Sequence, residues 1–505
     1  MKLKFILLIF ISFWINTNQC LGQGRNNIWC FGDSSGIDFN NTISPTTFNS
    51  SMDGRGTSVS IADHFGNLQF YASTKAGVVG PSGSVWNRMH QIMQEGDSIM
   101  GQGWYQEMAI ILNPADSNSF YLFSNTVVTG TGAPLGLYYT EIDLSQNGGL
   151  GLVIQKNIQL QNFMCSDGLI AIKHGNGRDW WILFRNWSSV NQVYYKYLVS
   201  ESGISNVFTQ SIGSYTDNGF AKMRFNSLGN KMAIITVNGL LEVYDFDRCT
   251  GLLSNPFTIH PEPTSAPYGY FWSCDFSPNG RFLYVASYTD SSQLFQYDLL
   301  SPNPAASRIL LDSFHNWQIG QGMVRRAPDG KIYMTQAWEC TAFPYCFPYP
   351  DSVYNTINMN LSVINYPDSL GTACGYAPYS FYLGGTRTYY GLPNNPDYEL
   401  GPLIGSGCDT LTSLPPTASG FPLATIHATW SPNWQKAFIN ASNIKGSHWR
   451  LEVFDLFGNI IYLEQGRLTP PYFSRGIELP GIASGMYIVR LLTEKEQLTG
   501  KFLVN

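Results

Sequence analysis

Three segments of the chain repeat one another at an interval of about fifty residues, and that interval limits the possible folds more than any single motif does. Phe225-Asn-Ser-Leu-Gly229 runs into Lys231-Met-Ala-Ile-Ile235 and then Leu241-Glu-Val-Tyr-Asp245. Phe276-Ser-Pro-Asn-Gly280 is followed by Phe282-Leu-Tyr-Val-Ala286 and Leu294-Phe-Gln-Tyr-Asp298; Arg326-Ala-Pro-Asp-Gly330 by Lys331-Ile-Tyr-Met-Thr335 and, after an insertion, Leu361-Ser-Val-Ile-Asn365. In each copy one strand enters a turn where Pro presets φ or Gly takes the left-handed position, and an apolar strand returns. Looser copies surround Gly66-Asn67, Asn113-Pro114 and Asn176-Gly177. Repeats of this length with about four strands each point to a β-propeller. Six turn-centred units are visible. A seventh is expected from pairing of Tyr379–Leu392 with Ile28–Phe31, so that both ends of the repeat region close the ring and remove an open sheet edge. A stacked β-solenoid is the competing architecture, but its repeats are usually shorter.

Composition agrees with an all-β chain. Charged residues are 13% and aromatics 14%, with 49 Gly and 27 Pro, which suits strands and turns better than amphipathic helices. Only Trp86–Met93 suggests a turn or two of helix. A chain of 505 residues exceeds one ordinary core, so two domains are expected.

The first residues have the parts of a secretory signal: Lys2 and Lys4, an apolar run from Phe5 to Ile15, then a polar stretch from Asn16. Cleavage is placed after Gly22; lipidation at Cys20 competes, although Asn18 and Gln19 are poor residues ahead of a lipidated cysteine. No later run is long and apolar enough to span a membrane as a helix. The formal charge of −6, with no basic runs, disfavours nucleic acid and anionic membrane as partners. Eight cysteines remain beyond Cys20, an even number that permits disulfides in an oxidising compartment. Cys340 and Cys346 could close a short loop. No Cys/His cluster has zinc spacing, and neither metal nor cofactor is expected.

The expected organisation is a signal peptide over 1–22, a propeller over 23–400, a Gly/Ser/Thr/Pro-rich linker over 401–425, and a small C-terminal β-sandwich over 426–505. From Asn27 to about Asn395 the chain resembles a propeller-like family of surface proteins of gliding and related Bacteroidetes bacteria. The resemblance is carried by Ile28-Trp-Cys-Phe-Gly32, Ile61-Ala-Asp63, Asn147-Gly-Gly-Leu-Gly151, His174–Trp181, Gly322–Tyr333 and Gly391-Leu-Pro393. It implies architecture and location, with no reaction to transfer. The last 75 or so residues resemble the type IX secretion C-terminal sorting domain. The carriers are Ser431-Pro-Asn433, Val453-Phe-Asp-Leu-Phe-Gly458, Ser484-Gly-Met-Tyr-Ile-Val-Arg490 and Lys501-Phe-Leu-Val504. Trp434 departs from the proline often found there. Asp455, Gly458, Gly485, Tyr487 and Lys501 are the motif residues so carried over. The resemblance implies export through the periplasm, the type IX machinery as partner, and release or attachment at the outer-membrane surface. An ordinary immunoglobulin-like accessory domain is the alternative.

No catalytic constellation stands out. Gly32-Asp-Ser-Ser-Gly36 fits the nucleophile-elbow pattern, but no helix follows, so a plain glycine turn is favoured. His174, Arg178, Asp179 and Trp180 could form a ligand-binding lip; a hairpin through Gly175-Asn-Gly177 with packed tryptophans is the simpler reading. Asp53 and Asp167 precede blade strands, where they could serve as paired acids, hold calcium, or merely cap turns. Phe343–Tyr349, with Tyr268, Tyr270 and Trp272, could make an aromatic platform. Three functions remain: a surface binding or adhesion module for glycan or protein, a passive surface-layer component, or a secreted hydrolase or lyase acting on polysaccharide or peptide. Binding is preferred, and enzymatic activity is left open. Acids and a histidine converging on the central channel would favour the enzyme; an aromatic patch on one face would favour binding.

Overall fold

Strands that are buried on both faces dominate the first four hundred residues, and their period-2 alternation sends successive side chains into two different cores. Met232 and Ile234 pack toward the preceding sheet, whereas Ala233 and Ile235 pack toward the following one. The same division separates Leu283 and Val285 from Phe282, Tyr284 and Ala286. This is why the repeats read as unbroken apolar runs. The computed structural model describes residues 24–75, 81–127, 134–187, 193–216, 220–261, 270–288, 292–314, 319–338, 353–409, 425–431, 435–442, 444–455, 459–467, 472–495 and 497–504. The chain divides into two compact units, 1–412 and 413–505.

Among the described residues the first unit holds seven antiparallel sheets, taken in chain order as blades 1 to 7. Their first strands are Ile28–Phe31, Ser58–Ala62, Met108–Asn113, Ile170–Lys173, Ala221–Phe225, Tyr270–Phe276 and Ile319–Arg326. From blade 1 to blade 7 each of these lies against the first strand of the next blade. Trp29 and Phe39 of blade 1 pack edge-on against Tyr333 of blade 7, at 6.1 and 5.5 Å, and close the ring. The architecture is therefore the expected seven-bladed propeller. The repeated turns have the expected chemistry too: Gly229, Gly280 and Gly330 sit at φ 67°, 73° and 78°, where a side chain is disfavoured.

Two local expectations are corrected. Ser84–Asn87 is a strand rather than the start of a helical turn, and Ile92 and Ile99 make bridges beside it. Closure also differs in register. Tyr379 stays in the outermost strand of blade 7, Tyr376–Tyr382, and Ile28–Phe31 pairs with Asp33–Asp38. The two ends join instead through an antiparallel bridge between Asp33 and Arg387, reinforced by a 2.8 Å ion pair.

Beyond Arg387 the chain turns into the channel along the propeller axis. Tyr390 carbonyl accepts from Met323 N–H at 2.9 Å, Asn394 N–H donates to Ser58 carbonyl at 2.8 Å, and Tyr398 hydroxyl donates to Ile110 carbonyl at 3.0 Å. A Cβ on Gly391 would fall 1.6 Å from the Gly56 carbonyl oxygen, so glycine is what allows this close approach. At the far end Leu403 N–H meets Gly175 carbonyl, and Cys408 is joined to Cys249 in a disulfide. The stretch read as linker is thus held against the propeller at least to Asp409. Cys30, Cys165, Cys274 and Cys374 are buried free thiols; Cys340 and Cys346 lie outside the described residues.

The second unit is a small β-sandwich. One sheet pairs Thr425–Ser431, Lys436–Ser442 and Tyr472–Glu478; the other pairs Ile460–Arg467, His448–Phe454, Gly485–Thr493 and Gln497–Val504. Ile439, Leu451, Val453, Val489 and Leu491 share its core. Asp455 accepts from Asn459 N–H and Nδ2 at 2.9 and 2.8 Å, shaping the turn around it. Tyr487 is buried against Phe502 and donates to Ala483 carbonyl at 2.8 Å. Gly485 pairs with Val504, and the exposed Lys501 pairs with Ile488. Gly458 lies outside the described residues.

Candidate functional site

Ile28–Phe31 of blade 1 runs toward Asp33 and Asp53, whereas the first strands of blades 2 to 7 run from the end that carries blade-to-blade connections to the end that carries hairpin turns. Residues just before such strands therefore gather at one mouth of the channel, and residues just after them at the other. Asp167 precedes Ile170–Lys173 and His174 follows it. Seven residues of extended chain place the two on the order of 20 Å apart, at opposite mouths. The acids and the histidine do not converge.

At the hairpin end, His174 is almost buried: its Nε2 faces Cys249 carbonyl at 2.8 Å, and its Nδ1 accepts from Asn176 N–H at 3.1 Å. Arg178 pairs with Asp179 at 2.7 Å and also with Glu201, while Asp179 is buried and accepts from Asn176 Nδ2. Trp180 is 1% exposed and packs edge-on against Tyr398 of the axial segment. His174, Arg178 and Asp179 are thus engaged within the hairpin and with Cys249 and Glu201, and Trp180 with the axial segment.

At the connection end, Asp53 makes a half-exposed ion pair with Lys75 at 2.6 Å. Asp167 is fully buried, 2.8 Å from Lys222 Nζ, and accepts from Gln106 N–H at 2.7 Å. Burial pushes its carboxyl up, and the Lys222 charge opposes that shift. Nearby Glu107 is also fully buried; burial raises it to about 8, against hydrogen bonds from Thr74 and from the Gly103 and Gln102 N–H groups. Above these acids stands a set of aromatic rings. Tyr105 meets Trp272 at 4.8 Å and Tyr390 at 5.7 Å, Trp272 meets Tyr390 at 5.2 Å, and Tyr389 stacks edge-on upon Tyr390 at 4.7 Å. Phe220 bridges Trp104 at 4.6 Å and Trp187 at 5.0 Å. Arg55 lies over Tyr105 at 5.1 Å, and Lys222 Nζ lies over both Tyr105 and Trp272. Trp104, Trp187, Phe220, Trp272 and Tyr389 are half-buried and so keep ring surface at the protein exterior.

Such an arrangement can stack on flat apolar faces, including those of sugar rings. Of these rings, sequence reasoning had singled out only Trp272. The missed signal is positional: Trp104, Phe220 and Trp272 each stand within four residues of the first residue of an innermost strand, or just inside it. Tyr268 and Phe343–Tyr349 lie outside the described residues. Among the described residues no cluster of His, Cys, Asp and Glu could hold a metal ion.

No protein-family model and no curated protein matches the sequence. Solved structures similar to this chain include a candidate 6-phosphogluconolactonase from Bacteroides fragilis, at 11% identity and a TM-score of 0.43 over 73% of this chain and 98% of that one. Another, from Bacteroides uniformis, shares 12% identity at a TM-score of 0.42, over 61% and 89% of the two chains. The β-propeller domain of Myceliophteria thermophila Cps50 (Swd1) is similar at 10% identity and 0.35, over 62% and 94%.

Proposed function

We infer that the chain is an exported surface or secreted protein whose propeller is a binding module for glycan or protein, delivered by type IX machinery acting on residues 426–505. The observation that carries the binding reading is the half-buried aromatic set at the connection end of the channel. A channel filled by the protein's own Tyr389–Tyr398 adds to it, because the axis where propeller enzymes could assemble a site is taken up by main chain. The Cys249–Cys408 disulfide is what an oxidising compartment permits, and no helix among the described residues is long and apolar enough to cross a membrane.

Full-length protein incubated with a panel of extracellular polysaccharides and peptides should show a melting shift with at least one of them and no new products by mass. Trp272→Ala should then weaken that binding by about 30-fold, the size of loss typical of a central aromatic anchor. New products would make the protein an enzyme instead. Export is tested separately. In a bacterium with a working type IX system, the intact chain should reach the surface or medium, and a chain ending before residue 426 should be retained in the periplasm. Equal export of both would remove the sorting role.

A further inference from the structure

Five asparagines of the chain stand directly before a glycine: Asn147, Asn176, Asn218, Asn238 and Asn279. Such a pair can react with itself, because no side chain on the glycine hinders its nitrogen from reaching the asparagine amide carbon. In an unfolded chain the five are alike, so any difference between them comes from the fold. Asn218 lies outside the described residues. Of the other four, three are held in place. Asn176 is buried, its Oδ1 accepts from the Arg178 and Asp179 N–H groups at 3.0 Å, and its Nδ2 donates to Asp179. Asn279 Oδ1 accepts from Ser277 hydroxyl at 2.8 Å and from Arg281 N–H at 2.9 Å. The glycine nitrogens of these turns are committed too. Gly177 N–H donates to His174 carbonyl at 2.9 Å, Gly239 N–H to Thr236 carbonyl at 3.0 Å, and Gly280 N–H to Ser277 carbonyl at 2.9 Å.

Asn147-Gly148 differs on each count. It lies in the turn between Leu137–Asp143 and Leu152–Gln161 of blade 3, and both residues are exposed. Among the described residues neither the Asn147 side chain nor the Gly148 N–H makes a hydrogen bond. A Cβ built on Gly148 would meet nothing within 4 Å, so the peptide has room to rotate. Asn147 itself sits at φ 52°, a region disfavoured for a residue with a side chain, so leaving it costs little. We propose that Asn147 is a site of spontaneous deamidation, converted with water to aspartate and isoaspartate. Gly148 nitrogen gives up its proton and bonds to Asn147 Cγ; the bond from Cγ to the side-chain nitrogen breaks, and ammonia leaves with that proton. Water then opens the cyclic imide. Opening at Cγ gives aspartate, and opening at the main-chain carbonyl carbon gives isoaspartate, with no change of oxidation state. The new carboxylate lies in a turn whose Gly149 carbonyl accepts from Arg88, so a cation stands near the added charge. This turn is at the hairpin end of blade 3, away from the aromatic rings, and the binding reading stands whichever way the site falls.

Peptide mapping by mass spectrometry tests it on the full chain, held folded at mildly alkaline pH in ¹⁸O-labelled water and sampled over time. Asn147 should convert about tenfold or more faster than Asn176, Asn238 or Asn279, since each of those must first break hydrogen bonds of its turn. Its peptide should gain one labelled oxygen in place of NH and split into aspartate and isoaspartate forms. In urea the four sites should converge to similar rates. Asn147→Gly, which suits a positive φ, should melt as the parent does and abolish the early release of ammonia. Absence of conversion at Asn147, a rate no higher than at the three held sites, or a lead that persists unchanged in urea would each overturn the assignment.

Discussion

Replacing Asn394 by leucine should destabilise the propeller by about 3–5 kcal/mol, because its side chain is the knot between the axial segment and three blades. Asn394 Nδ2 donates to Met108 carbonyl at 2.8 Å and to Leu169 carbonyl at 2.9 Å, and its Oδ1 accepts from Gln106 Nε2 at 3.0 Å and from Arg224. All of these groups are buried, so leucine would take the Asn394 donor from two carbonyls and leave Gln106 Nε2 with only the Met223 carbonyl and Arg224 with the weaker Met323 Sδ. Chemical denaturation followed through the propeller's own transition reads the effect. A loss below about 1 kcal/mol would mean that the axial segment is an appendage and that the ring stands without it.

Asp167→Asn should cost a similar 3–5 kcal/mol, for a different reason. Asparagine keeps an acceptor for Gln106 N–H, but it removes the charge and puts an NH2 donor where Oδ2 accepts from Lys222 Nζ and, at 3.4 Å, from Tyr105 N–H. Lys222, whose side chain is only 4% exposed, would then be a buried ammonium with no carboxylate beside it. Its contacts with the Tyr105 and Trp272 rings offset only part of that cost. The double variant Asp167→Asn, Lys222→Met should recover to within about 1–2 kcal/mol of the parent, since removing both charges also removes the desolvation penalty. A double-mutant cycle by urea denaturation checks it. Additive losses would show that the pair is not coupled, and Asp167 would return as a residue held for chemistry rather than for structure.

What could be read early, and what could not, follows from the range of the interactions involved. Ser277-Pro-Asn-Gly280 and Ala327-Pro-Asp-Gly330 are local: their φ preferences are set within four residues, and the turns formed as expected. Met232 to Ile235 alternates on a period of two, which is visible in sequence whatever the strand packs against. The site was less legible. Asp167 and His174 are close in sequence and far apart in space because an extended strand separates them. Trp104, Phe220 and Trp272 are far apart in sequence, yet Trp104 touches Phe220 and its neighbour Tyr105 touches Trp272, because the ring brings the strand starts of blades 3, 5 and 6 to one mouth. Only the assembled ring makes that juxtaposition.

The axial segment shows the same division most sharply. In sequence Gly391-Leu392 reads as the end of a closing strand and Pro393-Asn-Asn-Pro396 as the end of the repeats, with nothing to place either on the axis. In the folded protein it fills the channel, because inward-facing carbonyls at Ser58, Met108 and Leu169 need donors that their own blades cannot supply. Local pattern by itself determined that this chain makes a ring of β-blades and a separate small sandwich, since turn chemistry and strand period are properties of neighbouring residues. Tertiary structure alone decided what lies at the centre and the two mouths of that ring, since those places are assembled from single residues about fifty positions apart.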